Sequence, residues 1–142
     1  MNSRRRDSNL LRGKMAIEHK NILTLIAATI FSNKLVYESS YIDAFIKATD
    51  KLKIAKKLDP QISEEHLLSW YAQNKDDIRQ KLDTPYFKEW FYGLLEQFRY
   101  VPEQDKESIV DIMRKISIAD RNVHDENEGT LTALAERYWR FI

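Results

Sequence analysis

The chain has 142 residues, a formal net charge of +1 and no cysteine, and 43% of its residues are hydrophobic. This length suits one domain with a sizeable core, and the low content of three glycines and three prolines favours long helices over a sheet protein. The absence of cysteine excludes disulfides, thiolate catalysis and zinc sites built on cysteine, and it fits the reducing cytoplasm, where we expect the protein to act.

Residues 1–14 differ from the rest of the chain in charge. They carry +4, which leaves −3 for the remainder, so the globular part offers no broad basic face and we expect no nucleic-acid partner. We predict that residues 1–14 form a disordered basic tail and that residues 15–142 form one helical domain. Met15 is an alternative start of translation. The basic residues of the tail are Arg4, Arg5, Arg6, Arg12 and Lys14.

Apolar residues at spacings of three and four predict the helices in chain order. A first helix is expected over residues 16–31, with a break over 33–37. Its apolar run, 22–31, is about half the length that crosses a bilayer, so we expect a buried helix and no transmembrane segment. A second helix should end near Asp59 and Pro60, because the residue before a proline disfavours the α conformation. A third should follow the cap at Ser63 and end near Leu82.

The second half of the chain predicts three more helices. Pro85 opens a fourth, which ends at Val101 and Pro102; a fifth begins after Pro102, and the last spans residues 125–139. The spacing of the apolar residues in the fourth helix is typical of core packing rather than of a stacking platform. These residues are Phe87, Trp90, Phe91, Leu94, Leu95 and Phe98. The fold class is therefore all-α, a compact bundle of about six to seven helices.

Two segments of the sequence resemble each other in their pattern of apolar residues. A shift of 87 residues places five apolar residues of the first helix on five apolar residues near the end of the fifth, and it places Asn33 on Asp120 and Tyr37 on His124. The chain is therefore predicted to contain two similar helix-turn-helix hairpins. The superposed apolar residues are Ile22, Leu23, Leu25, Ile26 and Phe31 on Ile109, Val110, Ile112, Met113 and Ile118.

Residues 116–135, ISIADRNVHDENEGTLTALA, carry the most specific pattern of the chain. This stretch resembles the TerB-like family of tellurite-resistance proteins, whose helical domain has paired hairpins with acidic turns. Asp120 falls on the family's aspartate, and His124 falls on its capping position. Arg121 stands where the family favours glycine, and Asn33 replaces the aspartate of the first hairpin. The resemblance extends over most of residues 22–142.

The resemblance implies a divalent-cation site, for calcium or magnesium, at Asp120, Asp125, Glu126 and Glu128. Carboxylates are hard ligands suited to these cations. A second interpretation stays open, in which the same residues cap the following helix and interact favourably with the positive end of its dipole. An EF-hand is excluded, because Asp125 occupies the loop's glycine position and Leu131 its last position. A zinc hydrolase is disfavoured, because the three histidines include no pair four residues apart.

We therefore expect a non-enzymatic TerB-like module, similar to tellurite-resistance and stress-response proteins, that binds a divalent cation or a partner protein through its acidic turns. The alternative is a metal-independent protein-interaction module, for which an unknown protein and a second copy of the chain, as a homodimer, are both candidate partners. A metal-dependent hydrolase is a third hypothesis, for which the sequence offers no nucleophile pattern and no glycine-rich phosphate loop.

Overall fold

The computed structural model describes residues 19–33, 35, 37–119 and 130–140. Within these residues the chain forms six helices and no strand, which confirms the predicted all-α class. Residues 1–14, predicted to form a basic tail, lie outside the described part, as does the first part of the predicted last helix. The helices are α1 (residues 19–32), α2 (Glu38–Ile54), α3 (Glu64–Leu82), α4 (Phe87–Glu96), α5 (Glu103–Ala119) and α6 (Thr130–Arg140).

Helix α1 contributes the largest run of core residues. Seven of its apolar side chains are at most 7% exposed, so the helix is buried on nearly every face, as expected for a hydrophobic run of this kind. No described helix is both long enough and apolar enough to span a membrane. The seven side chains are Ile22, Leu23, Leu25, Ile26, Ala27, Ala28 and Ile30.

Helix α2 ends at Ile54, five residues before the predicted end at Asp59, so this predicted boundary was wrong. The cause is a capping turn in which Lys56 takes a positive φ of 60°. Lys57 N donates to Leu52 O at 2.9 Å, and Lys56 N donates to Lys53 O at 3.0 Å. This pair of bonds is the Schellman motif, which satisfies the last carbonyls of a helix and stops it.

Helix α3 has the predicted bounds. The Ser63 side chain accepts a hydrogen bond from His66 N at 3.0 Å and so caps the start of the helix. Phe45 of α2 packs against α3, stacking on Trp70 with the ring planes only 8° apart and lying 5.2 Å from the ring of Tyr71. The two helices are antiparallel, because the start of α2 at Glu38 meets Arg79 near the end of α3.

Helix α4 is shorter than predicted, because after Glu96 the backbone changes to bonds three residues back, such as Phe98 N to Leu95 O at 3.0 Å. The prediction that its aromatic stripe forms core is confirmed for Phe91 and Phe98, which are at most 1% exposed. Trp139 of α6 packs edge-on against Phe98, with ring centroids 5.6 Å apart. These contacts close the bundle on the side of α4 and α6.

Helices α5 and α6 are antiparallel neighbours. Arg114 Nε donates to Glu136 Oε1 at 2.6 Å, and three residues further along α5 the hydroxyls of Ser117 and Thr132 lie 3.2 Å apart. The two helices of the second predicted hairpin therefore pack on each other, and its turn, residues 120–129, lies outside the described residues. The internal repeat itself stays a prediction. Helix α5 also packs on α2, so it lies between α2 and α6. A surface groove runs between α2 and α5.

Candidate functional site

The four carboxylates predicted to hold a metal, Asp120, Asp125, Glu126 and Glu128, lie outside the described residues. Their arrangement is therefore not tested. The structure does describe both flanking helices, α5 up to Ala119 and α6 from Thr130, and these pack side by side. Within the described part of the chain, no cluster of three or more histidine, aspartate or glutamate side chains has the proximity that a metal site needs.

A groove of about 510 Å³ lies between α2 and α5, and Asn33, Leu35 and Tyr37 line one end of it. We call it the α2–α5 groove. Its volume lies within the range of about 300–1,000 Å³ that is typical of ligand pockets. The groove is lined by Ile30, Asn33, Leu35, Tyr37, Ser40, Asp43, Ala44, Lys47, Ala48, Lys51, Ile112, Lys115 and Ile116.

The groove is open because α2 presents small residues to α5. Ala44 and Ala48 are four positions apart, so both lie on the same face of α2. Opposite them, Ile112 and Ile116 of α5 are also one turn apart and supply branched apolar side chains. A methyl group in place of a longer side chain leaves a channel between the two helix axes. The floor of the groove is therefore apolar and built from rigid helix faces.

The rim of the groove is basic. Lys47 and Lys51 follow one another at one-turn spacing on α2, and Lys115 lies on α5; all three are exposed. Asp43 is the one acidic residue in the lining. Lys115 Nζ also lies 3.1 Å from Asp111 Oδ2, in an exposed pair four residues apart that water screens strongly. The rim therefore has an excess of positive charge around an apolar floor.

Hydrogen bonds hold the end of the groove that Asn33, Leu35 and Tyr37 line. Asn33 is 7% exposed, and its Nδ2 donates to Ile116 O at 2.9 Å, which ties the end of α1 to α5. The Tyr41 hydroxyl accepts from Leu35 N at 2.9 Å and donates to Leu35 O at 3.1 Å. Beside them Tyr37 remains 69% exposed at the mouth of the groove. An exposed tyrosine at the edge of an apolar channel is typical of binding surfaces.

A network beside the groove fixes the start of α2. Arg79 Nη2 donates to Glu38 Oε2 at 2.6 Å, the Tyr71 hydroxyl donates to Glu38 Oε1 at 2.9 Å, and the Arg79 guanidinium lies 4.3 Å from the Phe31 ring centroid. Burial raises the pKa of Glu38, but the hydrogen bonds from Arg79 and Tyr71 outweigh burial and lower it overall. Burial, followed by the bond to Glu38, raises the pKa of Tyr71. The network therefore favours the ionised carboxylate and joins α1, α2 and α3.

Two further grooves have different chemistry. One, of about 400 Å³, lies between α5 and α6 and mixes acidic and basic side chains, including Arg114 and Glu136, which already pair with each other. The other, of about 550 Å³, lies beside the turn after α2, where Lys57 is paired with Asp105. Acidic and basic side chains are nearly balanced in each lining, so neither groove combines an apolar floor with a basic rim as the α2–α5 groove does.

No protein-family model, no curated protein and no solved structure matches the chain. The resemblance to TerB-like proteins therefore stays a prediction from the sequence.

The residues that line the α2–α5 groove were not predicted from the sequence. One signal was present, because alanines at positions 44 and 48 and lysines at 47 and 51 share the spacing of one helical turn. The other half of the groove, however, comes from Ile112 on α5, more than sixty residues away. Only the packing of α2 against α5 reveals that these positions form one site.

Proposed function

We propose that this chain is a non-enzymatic protein-interaction module that binds a partner protein in the α2–α5 groove without a metal. The observation that carries the proposal is the groove itself, in which an apolar floor at Ala44 and Ala48 is joined to a basic rim and an exposed Tyr37. Aromatic residues are enriched among the residues that carry most of the binding energy at protein interfaces, and the buried centre of an interface is apolar, so this combination suits a partner surface.

Among the described residues, the titratable groups with clearly shifted pKa values make contacts within the fold. Glu38, Tyr71 and Arg79 belong to the network that holds α2 against α3, and a hydrogen bond to Glu96 raises the pKa of Tyr138. Each shift is thus explained by a contact between or beside helices. None of these four groups lines the α2–α5 groove.

Photo-crosslinking in cells tests the proposal. A photoreactive p-benzoylphenylalanine replaces Tyr37 at the groove, or Tyr100, which is 89% exposed elsewhere on the surface, as the matched control. We expect a defined adduct from position 37 and none from position 100. The adduct should persist when lysates are irradiated with chelator. A second copy of the chain is one partner that this experiment detects, since its adduct has twice the mass of 16.9 kDa.

A blocking substitution makes the crosslinking result specific to the groove. Ala44→Gln fills the channel with an uncharged side chain, and Ala72→Gln makes the same change at an exposed position of α3. We expect Ala44→Gln to reduce the adduct from position 37 by about tenfold, which corresponds to roughly 1.4 kcal/mol of binding energy. Equal adducts from positions 37 and 100, or an undiminished adduct in Ala44→Gln, would reject the groove as the binding surface.

A second candidate function is cation binding by the acidic turn, at Asp120, Asp125, Glu126 and Glu128. It is favoured by the antiparallel packing of α5 and α6, because the ten residues between Ala119 and Thr130 have to connect adjacent helix ends. Calorimetric titration of chelator-stripped protein with calcium and then magnesium tests it. Saturable binding that is lost in Asp120→Ala supports this function, whereas no heat of binding from either cation rejects it.

A further inference from the structure

The walls of the α2–α5 groove determine which backbone conformation a partner can adopt. Both walls are helices, α2 and α5, whose interior N–H and C=O groups are already bonded along the helix axis. The described part of the chain offers no strand edge to which an extended peptide could add. An extended segment on the apolar floor would leave its own backbone groups without partners, at a cost of about 1–3 kcal/mol for each buried group. A helix satisfies its backbone internally and avoids this cost.

The rim determines the charge of the partner. Lys47 and Lys51 lie one turn apart along the edge of α2, and Lys115 lies on the opposite wall, while Asp43 is the one acidic lining residue. Two carboxylates four residues apart on a docked helix have the same spacing as Lys47 and Lys51. A basic partner would instead place like charges together, which is unfavourable at an interface. Charge complementarity therefore selects an acidic segment.

The floor determines the side chains between those carboxylates. Ala44 and Ala48 repeat at one-turn spacing, as do Ile112 and Ile116 on the facing wall. A docked helix meets such a floor with a stripe of apolar residues at spacings of three and four, whose side chains enter the space above the alanines. The channel of about 510 Å³ gives room for aliphatic or aromatic side chains.

We propose that the partner presents an acidic amphipathic helix to the α2–α5 groove, with its apolar stripe on the floor and its carboxylates facing Lys47, Lys51 and Lys115. This inference rests on the proposed function and specifies the chemistry of the partner. Two internal ties favour it, because Asn33 bonds to Ile116 O at one end of the groove and Lys57 pairs with Asp105 beyond the other end. The helices that form the groove are thus held in place before the partner arrives, which lowers the cost of binding.

Selection from a random library of displayed peptides, with the full chain as bait, tests the inference. We expect the enriched peptides to be acidic, with apolar residues at spacings of three and four, and to gain helical circular dichroism on binding. The affinity of a labelled enriched peptide is then measured by fluorescence anisotropy. The Lys47→Glu/Lys51→Glu variant should weaken its binding by at least about tenfold, because attraction on the rim is replaced by repulsion.

The control variant, Lys81→Glu/Lys88→Glu, changes the net charge equally at exposed positions of α3 and α4 and should bind the peptide with nearly wild-type affinity. Enriched peptides that lack acidic residues, or that bind Lys47→Glu/Lys51→Glu as tightly as the wild type, would overturn the inference. If Ala44→Gln nonetheless weakens the binding of such peptides, the groove remains the binding surface and only the proposed chemistry of its partner is wrong. Peptides that bind both groove variants with wild-type affinity would reject the groove as the binding surface as well.

Discussion

Among the described residues, Glu38 has the largest number of side-chain hydrogen-bond and ion-pair partners. Its carboxylate accepts hydrogen bonds from Arg79 and Tyr71, and Lys75 Nζ lies 3.8 Å from Oε1. Arg79 in turn covers the Phe31 ring. Glu38 is the first residue of α2, where a negative charge also interacts favourably with the helix dipole. One carboxylate thus positions the start of α2 against two other helices, next to the mouth of the groove.

The lowered pKa of Glu38 predicts how stability depends on pH. Its contribution is present above the ordinary value of 4.5 and is lost as the pH falls through the lowered pKa. We therefore expect Glu38→Gln to destabilise the chain by at most about 1 kcal/mol at pH 7, because solvent screens a side chain that is 43% exposed. The difference from the wild type should be smaller at pH 3 than at pH 7. Urea unfolding at both pH values measures it.

Glu107→Gln is the control for this prediction, since Glu107 is exposed on α5. Its effect on the free energy of unfolding should stay small throughout the same pH range. A destabilisation by Glu38→Gln that is as large at pH 3 as at pH 7 would contradict the role of the ionised carboxylate.

At the scale of the element, the end of α2 is set by Lys56. Non-glycine residues disfavour a φ of 60°, and the left-handed region costs them roughly 1–2 kcal/mol. The Schellman bonds from Lys56 and Lys57 hold the residue in this conformation, and the turn leads directly to Leu58, which is 1% exposed in the core. The turn is therefore retained because it directs the chain into the bundle.

Lys56→Gly is expected to stabilise the chain by up to about 1 kcal/mol, because relief of the left-handed strain exceeds the added entropy of the unfolded state. Lys47→Gly, at an exposed position inside α2, should instead destabilise the chain by about 1 kcal/mol. Thermal and urea unfolding of both variants measure these changes. A loss of stability in Lys56→Gly similar to that in Lys47→Gly would show that the Lys56 side chain contributes more than the strain costs.

The helices could be predicted from the sequence where local signals were complete. Ser63 and the apolar spacing after it gave the bounds of α3, since capping and periodicity are local properties. The end of α2 could not be predicted in the same way, because Lys56 occupies a position where glycine is the usual signal. The early end of α4 could not be predicted either. It depends on backbone hydrogen bonds to the residue three positions earlier, such as Phe98 N to Leu95 O, for which the sequence contains no local signal.

At the scale of the whole molecule, the groove is a product of tertiary packing. Ala44 and Ile116 are distant in sequence and become neighbours only because α2 packs antiparallel on α5, with Asn33 and Lys57 tying the ends. The acidic turn could instead be recognised from the sequence alone, because its carboxylates, Asp120, Asp125, Glu126 and Glu128, all lie within nine residues of one another. The described surface instead presents the groove with its basic rim, and the proposed partner is recognised by complementary charge.

The most direct measurement is the dissociation constant of the partner captured at position 37, determined by calorimetry for the wild type, Ala44→Gln and Ala72→Gln, with calcium and with chelator. We expect Ala44→Gln to weaken binding by at least about tenfold, Ala72→Gln to leave it unchanged, and chelator to have no effect. Wild-type affinity in Ala44→Gln would contradict binding in the α2–α5 groove. Loss of binding in chelator would contradict a metal-independent interaction and direct attention to Asp120 and the acidic turn.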